Sequence, residues 1–442
     1  MKKLTKEEFD RAINKGLGRA FLDVKEYGDK DVKSLLLNAI LRNLVYDNQS
    51  EGGRAKWLFS VLEYTDDISY YERALLENLS NCESIWDTDQ ALDLLLEFAK
   101  RGSDRARKEL YRKFDAQKFN ESWIGSEQII ELDGIDGFLH VAETIGRRLR
   151  EDEGYWEDDF LLNKVKDRFG DEAIRKTIDI KLQTSKNLRA YIERITRFES
   201  GKSGSKEEID ERIRKQFTLE RILADIENAK GEFPGRYAIF GKSALDDDIQ
   251  RVFDEFRREE RTPQLIRFLW IFSRRKLPEL LPKVFELALN EDNELSFAAI
   301  SALSNSIDSK IHNVGEKVLR QKDWERAASG FELLIRNYRN GDNEEIEKIL
   351  KRIPATAVRD KIHRVVSDLV ELCRNNDSEQ LNDVMEWIYE NSPCMNCRGE
   401  AVKLLIANKA LSDCILNECL VDGSEKIREI AEREKSFKQS IS

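Results

Sequence analysis

The first proline in this chain of 442 residues is Pro234, and only five more prolines follow it. Proline lacks a backbone N–H and clashes with the preceding helical turn, so its scarcity permits long helical stretches. Charged residues make up 36% of the chain and hydrophobic residues 40%. Such a composition supplies both solvated helix faces and a continuous apolar core, and we therefore predict an all-α fold.

Apolar residues recur with helical spacing through most of the chain. The segment from Asp31 to Tyr46 has one apolar stripe, and Thr5 to Glu8 has the pattern of a capping box. Short breaks that contain glycine, such as those at Gly28 and Gly102, separate these segments. Connections this short favour antiparallel neighbours, and roughly twenty helices would fill the length.

One local pattern is repeated: an apolar residue, an arginine, two spacers and an alanine. It occupies Cys397 to Ala401 and returns thirty residues later at Ile427 to Ala431. A partial copy runs from Leu295 to Ala299, with serine in place of the arginine. This pattern resembles the HEAT repeat family, clearly in parts of residues 277–435 and more loosely in residues 1–150.

The resemblance implies an α-solenoid of stacked antiparallel helix pairs that binds partners on its concave face. A single helix pair cannot bury its apolar face alone, which gives a physical reason for stacking. We predict three parts: N-terminal helical repeats in residues 1–150, a charged and less regular helical middle in residues 151–262, and C-terminal HEAT-like repeats in residues 263–442. The family implies no catalytic residues.

Five of the six cysteines follow residue 370, and three interpretations compete for them. If Ser392 caps a helix and Pro393 begins it, Cys394 lies in the first turn, where helix amides favour a reactive thiolate. A zinc site would use Cys394, Cys397, Cys414 and Cys419, although the spacing of the second pair fits poorly. The favoured interpretation is apolar packing, with Cys397 in the slot of Ile427. We therefore predict no metal or cofactor site.

Catalytic motifs are missing from the sequence. The three histidines, His140, His312 and His363, lie in no paired spacing, and no catalytic residue is predicted. The net charge is −11, and no stretch is long and apolar enough for a signal peptide or a membrane span. We predict a cytoplasmic, non-enzymatic scaffold, without membrane attachment, that binds another protein.

Two basic segments provide an alternative function. Residues 100–118 hold eight cationic and three acidic side chains, and residues 257–276 combine arginines with the aromatic run around Trp270. Arginines beside aromatic rings are typical of grooves that bind nucleic-acid strands. The residues assigned to this alternative are Arg105, Arg107, Arg112, Arg267 and Arg274.

Overall fold

The computed structural model describes residues 2–116, 124–152, 154–196, 206–228, 235–376 and 379–441. Within these ranges the regular structure is helical and contains no strand, which confirms the all-α class. The α-helices, in chain order, are α1 (Lys6–Lys15), α2 (Gly18–Tyr27), α3 (Lys33–Leu41), α4 (Ala55–Leu62), α5 (Ile68–Asn78), α6 (Ile85–Lys100), α7 (Asp104–Asp115), α8 (Ser126–Glu151), α9 (Phe160–Phe169), α10 (Asp171–Leu182), α11 (Lys186–Ile195), α12 (Lys206–Gln216), α13 (Leu219–Asn228), α14 (Gly235–Ser243), α15 (Asp246–Arg258), α16 (Thr262–Ile271), α17 (Pro282–Ala288), α18 (Asn293–Leu303), α19 (Ser309–Leu319), α20 (Trp324–Ala328), α21 (Gly330–Leu334), α22 (Asp342–Leu350), α23 (Arg359–Asn375), α24 (Asn382–Asn391), α25 (Met395–Ala407), α26 (Asp413–Cys419) and α27 (Glu425–Ile441).

Local sequence signals account for many helix ends. The predicted capping box is present at α1, where the Glu8 amide donates to Thr5 Oγ1 at 3.2 Å and the Thr5 amide donates to Glu8 Oε2 at 2.8 Å. Helix α1 stops at Gly16, whose φ of 72° is a left-handed conformation that favours glycine. Most helices are short, from 7 to 13 residues, which explains why they outnumber the roughly twenty expected.

The chain divides into two compact units. Unit 1 consists of Met1–Lys202 together with Cys414–Lys435, and unit 2 of Ser203–Asp413 together with Ser436–Ser442. No helix of the described residues has the length and apolar character needed to cross a membrane. The three-part division at residues 150 and 262 stays a prediction.

Unit 1 joins two segments that are far apart in the sequence. The Gly423 amide donates to the Gly16 carbonyl at 2.7 Å, and Trp57 Nε1 donates to the Val421 carbonyl at 2.9 Å. At Gly18 in α2 the approach is so close that a Cβ atom would lie 1.9 Å from a backbone oxygen of the Cys414–Lys435 segment. This segment is therefore part of the same packed body as the first helices.

Unit 2 shows a regular pattern of helix contacts. Helix α17 packs on α18, α19 on α21, and α24 on α25. Helices α18, α21, α23 and α25 also contact each other in that order, and we call them the second-helix row. Helices α17, α19, α22 and α24 contact each other likewise and form the first-helix row. Each helix of these rows therefore meets its counterparts in neighbouring pairs.

The repeated sequence pattern occupies one register of the helices. Leu295, Cys397 and Ile427 are each the third residue of their helices, α18, α25 and α27. Leu295 and Ile427 are buried, whereas Cys397 is partly exposed. The three residues that the sequence alignment matched therefore occupy the same position in their helices. One of them, Cys397, is partly exposed to solvent.

Candidate functional site

A cavity of about 190 Å³ lies on the second-helix row of unit 2, and we call it the acidic cavity. Its walls come from α18, α20, α21 and α23, and Phe297 and Trp324 supply aromatic surface. The charged residues that line it are Glu325, Glu332, Asp360, Lys361, Arg364 and Asp368. Four carboxylates therefore face two cations, so the lining has an excess of negative charge.

Helix α23 supplies much of this charge from a single face. Asp360, Arg364 and Asp368 recur every four residues, which brings them to one side of the helix. The Arg364 guanidinium lies 5.6 Å from the centre of the Phe297 ring. Lys361 Nζ pairs with Glu325 Oε1 at 2.5 Å, so this cation is already neutralised by a lining carboxylate.

Two carboxyl groups in the acidic cavity are poorly solvated. Glu332 accepts hydrogen bonds from Ser301 Oγ at 3.0 Å and Ser304 Oγ at 3.3 Å, yet burial still raises its pKa. Burial also raises the pKa of Asp368 well above its ordinary value, and the nearby charge of Glu332 adds to this effect. Arg364 opposes both shifts without cancelling them. An added cation would stabilise both ionised forms.

The segment before α25 differs from the prediction. Helix α25 begins at Met395, so the expectation that Ser392 caps it and Pro393 begins it is wrong. The residue before a proline avoids helical conformations, and Ser392 is extended with φ −60° and ψ 129°. Its Oγ accepts from the Cys394 amide at 3.1 Å and donates to the Cys394 carbonyl at 2.9 Å. These bonds fix Cys394 as the N-cap residue of α25.

Cys394 and Cys397 meet a histidine from the neighbouring second helix. The two sulfur atoms and a ring nitrogen of His363 in α23 all lie within 4.8 Å of one another. Cys397 Sγ is 3.6 Å from His363 Nε2. Cys394 is buried, while Cys397 and His363 are partly exposed. We call these three residues the cysteine–histidine cluster.

The environment of Cys394 favours a thiolate. A hydrogen bond from the Cys397 thiol, and further bonds from the backbone amides of Cys397 and Asn396, lower the pKa of Cys394 to about 5, with His363 contributing and burial opposing. Cys373 is a useful contrast, because burial alone raises its pKa to about 12. Cys373 therefore has the environment of an apolar packing residue, whereas Cys394 has a polar one.

The other two cysteines of the four-cysteine zinc hypothesis lie in unit 1. Cys414 is exposed and Cys419 is buried, and neither belongs to the cysteine–histidine cluster. Sequence reasoning missed His363, which lies 34 residues before Cys397. The available signal was the repeat itself, since a residue about one repeat earlier can lie on the adjacent second helix.

The arginines assigned to nucleic-acid binding have different environments. Arg107 pairs with Asp133 at 2.5 Å, and Arg112 makes a two-pronged pair with Glu109 at 2.7 and 2.5 Å. Arg267 is buried, and its guanidinium donates to the Ile226 carbonyl at 2.8 Å inside unit 2.

The remaining two arginines of this set, Arg105 and Arg274, are exposed. Arg105 lines a surface depression together with Arg73, Lys108 and Arg112, and Glu77 and Glu109 lie beside them. Lys118, at the end of the first basic segment, lies outside the described residues.

No protein-family model, no curated protein and no solved structure matches this chain.

Proposed function

We propose that this is a non-catalytic interaction protein whose second-helix row binds a partner protein. The acidic cavity receives a lysine or arginine side chain of that partner. The observation that carries the proposal is the cavity between α18, α21 and α23, where carboxylates outnumber cations and two aromatic side chains form the walls. The partner therefore presents a basic segment.

The size and chemistry of the cavity favour one cationic side chain. Pockets for drug-sized ligands measure about 300–1,000 Å³, whereas this one measures about 190 Å³. An ammonium or guanidinium group would pair with Glu332 and Asp368, whose charges are only partly compensated by Arg364. Its apolar stem would lie against Trp324 and Phe297.

The proposal includes a solenoid architecture of the HEAT type for the helix pairs of unit 2. Its support is the contact pattern, in which each helix of the two rows meets its counterparts in the neighbouring pairs. Stacked pairs of this kind form long surfaces on which one row of helices is available to partners. A cytoplasmic location is also proposed, because six cysteines in 442 residues are too few for the framework of a disulfide-stabilised secreted domain.

Affinity capture with matched variants tests this proposal. Glu332→Gln and Asp368→Asn remove negative charge from the cavity with little change in shape, and Glu344→Gln removes an exposed carboxylate on the first-helix row. We expect proteins captured by the wild type to be retained by Glu344→Gln and lost with the two cavity variants. Capture should also weaken at acidic pH, because protonation removes the carboxylate charge.

Recovery of the same proteins by all four forms of the chain would contradict a role for the cavity. A synthetic peptide from the captured partner, with its lysines and arginines replaced by glutamine, provides the complementary control. We expect it not to bind, because the cation is the group recognised.

Nucleic-acid binding is the second candidate function. The depression that contains Arg73, Arg105, Lys108 and Arg112 has four cations against two carboxylates, and it favours a phosphate backbone as ligand. If this candidate is correct, single-stranded DNA or RNA binds with strong salt dependence, and the double variant Arg105→Glu with Lys108→Glu abolishes it. Binding that survives this double variant would exclude the depression.

A further inference from the structure

The cysteine–histidine cluster has a geometry that neither the scaffold proposal nor simple packing explains. Two sulfur atoms and one imidazole nitrogen converge within 4.8 Å from two different helices. We propose that His363, Cys394 and Cys397 bind one Zn²⁺ ion, as a three-ligand site that joins α23 to α25.

The distance between one sulfur and the imidazole nitrogen agrees with tetrahedral zinc. With Zn–S near 2.3 Å and Zn–N near 2.0 Å, tetrahedral coordination places sulfur and nitrogen about 3.5 Å apart. Cys397 Sγ and His363 Nε2 are 3.6 Å apart. An ion at this point therefore needs little movement of either side chain.

The backbone at the start of α25 positions both cysteines so that they can bind the same ion. Cys394 precedes the first turn of α25 and Cys397 lies within it, a C-x2-C spacing that brings two sulfurs to the same end of a helix. The hydrogen bonds between Ser392 Oγ and the backbone of Cys394 hold the first ligand residue in its extended conformation. Supporting contacts of this kind orient metal ligands and reduce the cost of binding.

The partial exposure of two of the three ligands gives the ion access to the site from one side. Cys394 is buried, whereas Cys397 and His363 are partly exposed, so solvent reaches the cluster past these two side chains. Three protein ligands leave the fourth tetrahedral position open on that side for water or another ligand. Thiolate and imidazole ligands favour Zn²⁺ over Mg²⁺ or Ca²⁺, which prefer oxygen.

Convergence of three ligands separates this site from a dithiol redox pair. A disulfide between Cys394 and Cys397 would use only the two sulfurs, with His363 as a neighbouring base, whereas zinc requires the His363 nitrogen as a third ligand. The site also differs from a four-cysteine zinc site, because Cys414 and Cys419 are absent from the cluster. Each alternative predicts a different set of residues for binding.

Zinc titration of the purified full chain tests the site. After removal of metal with a chelator under reducing conditions, Zn²⁺ alone is titrated in competition with a chromophoric chelator. We expect one tightly bound Zn²⁺ per chain, weakened at least about tenfold in His363→Gln and in Cys397→Ser. Cys414→Ser, which removes an exposed thiol outside the cluster, should bind as the wild type does.

Cobalt substitution gives a second readout that does not depend on affinity. Co²⁺ in the site should show sulfur-to-cobalt charge-transfer absorption in the wild type and in Cys414→Ser, with a reduced band in Cys397→Ser. Circular dichroism of each metal-free variant checks its fold, and the partly exposed His363 gives a variant whose substitution disturbs the core least.

Three results would overturn the proposal. Equal Zn²⁺ binding by the wild type and His363→Gln would remove the histidine from the site. Loss of binding in Cys414→Ser would favour the four-cysteine arrangement. A chain that takes up no Zn²⁺ while Cys394 and Cys397 form a disulfide in air would assign a redox pair instead.

Discussion

At the scale of single residues, burial determines which of the many carboxylates are chemically unusual. Glutamate and aspartate are abundant in this chain, with 85 residues in total, and sequence gives no means of separating them. In unit 1, Asp89 and Asp93 of α6 share the side-chain amide of Gln128, whose Nε2 donates to their oxygens at 3.2 and 2.7 Å. Burial, followed by the charge of Asp89, raises the pKa of Asp93 to about 7.

The raised pKa of Asp93 makes the stability of unit 1 depend on pH. The folded chain holds this proton up to about pH 7, whereas the unfolded chain releases it near its ordinary pKa of about 4. The free energy of unfolding therefore falls as pH rises through this interval. We expect Asp93→Asn to reduce this fall and to stabilise the protein at pH 8 by about 1–2 kcal/mol, while Glu332 and Asp368, whose pKa values are also raised, still contribute to it.

Urea denaturation at pH 5 and pH 8 measures this effect. Asp136→Asn, at an exposed position in α8, is the matched control and should leave the pH dependence unchanged. A wild-type stability that does not decline between these two pH values would show that Asp93 is ionised throughout.

At the scale of elements, helix starts and close helix contacts decide the positions of the functional side chains. Helix α25 starts at Met395, so Cys394 is the N-cap residue and does not lie in the first turn, where the sequence predicted it.

Close helix contacts depend on glycine, which has no side chain to separate the two backbones. In α14, a Cβ atom at Gly241 would lie 1.8 Å from the Ile271 carbonyl oxygen of α16.

Gly241→Ala should force α14 away from α16. Because the obstructing atom belongs to backbone, no rotamer change can relieve the clash, and we expect a loss of about 1–3 kcal/mol in the free energy of unfolding. Gly315→Ala is the control, since its Cβ would meet side-chain atoms of Leu334 at an ordinary 3.4 Å. Thermal denaturation compares the two, and an equal effect of both substitutions would contradict the close-contact explanation.

At the scale of the whole molecule, unit 1 includes a segment from the far end of the sequence. An open repeat array has contacts mainly between sequence neighbours. Here Arg19 Nε pairs with Glu418 Oε2 at 2.8 Å, and Gly18 lies beside the Glu418 carbonyl. These contacts join residues about 400 positions apart, so the stability of the first helices depends on the Cys414–Lys435 segment.

Gly18→Ala tests the contact with this segment. A Cβ atom placed 1.9 Å from a carbonyl oxygen cannot be accommodated without separating the two backbones. We expect faster hydrogen exchange in residues 414–435 and a stability loss of about 1–3 kcal/mol. Gly53→Ala, whose Cβ would meet only the Asp93 side chain at 3.5 Å, should leave exchange in this segment unchanged.

The sequence by itself determined the helical class, the capping box at Thr5, and the register shared by Leu295, Cys397 and Ile427. These features depend on capping hydrogen bonds and on the spacing of apolar residues within a few helical turns. Residues close together in the sequence specify both. The HEAT-type solenoid and the scaffold function stay predictions at this level.

Only the tertiary structure decided which distant residues meet. The approach of His363 to Cys397, the assembly of the acidic cavity from four helices, and the burial of Arg267 all depend on how helices pack across 30 residues or more. Periodicity shows which face of a helix is buried but not which side chain lies opposite it. The partners of a charge or a thiol, and therefore its chemistry, are set by that packing.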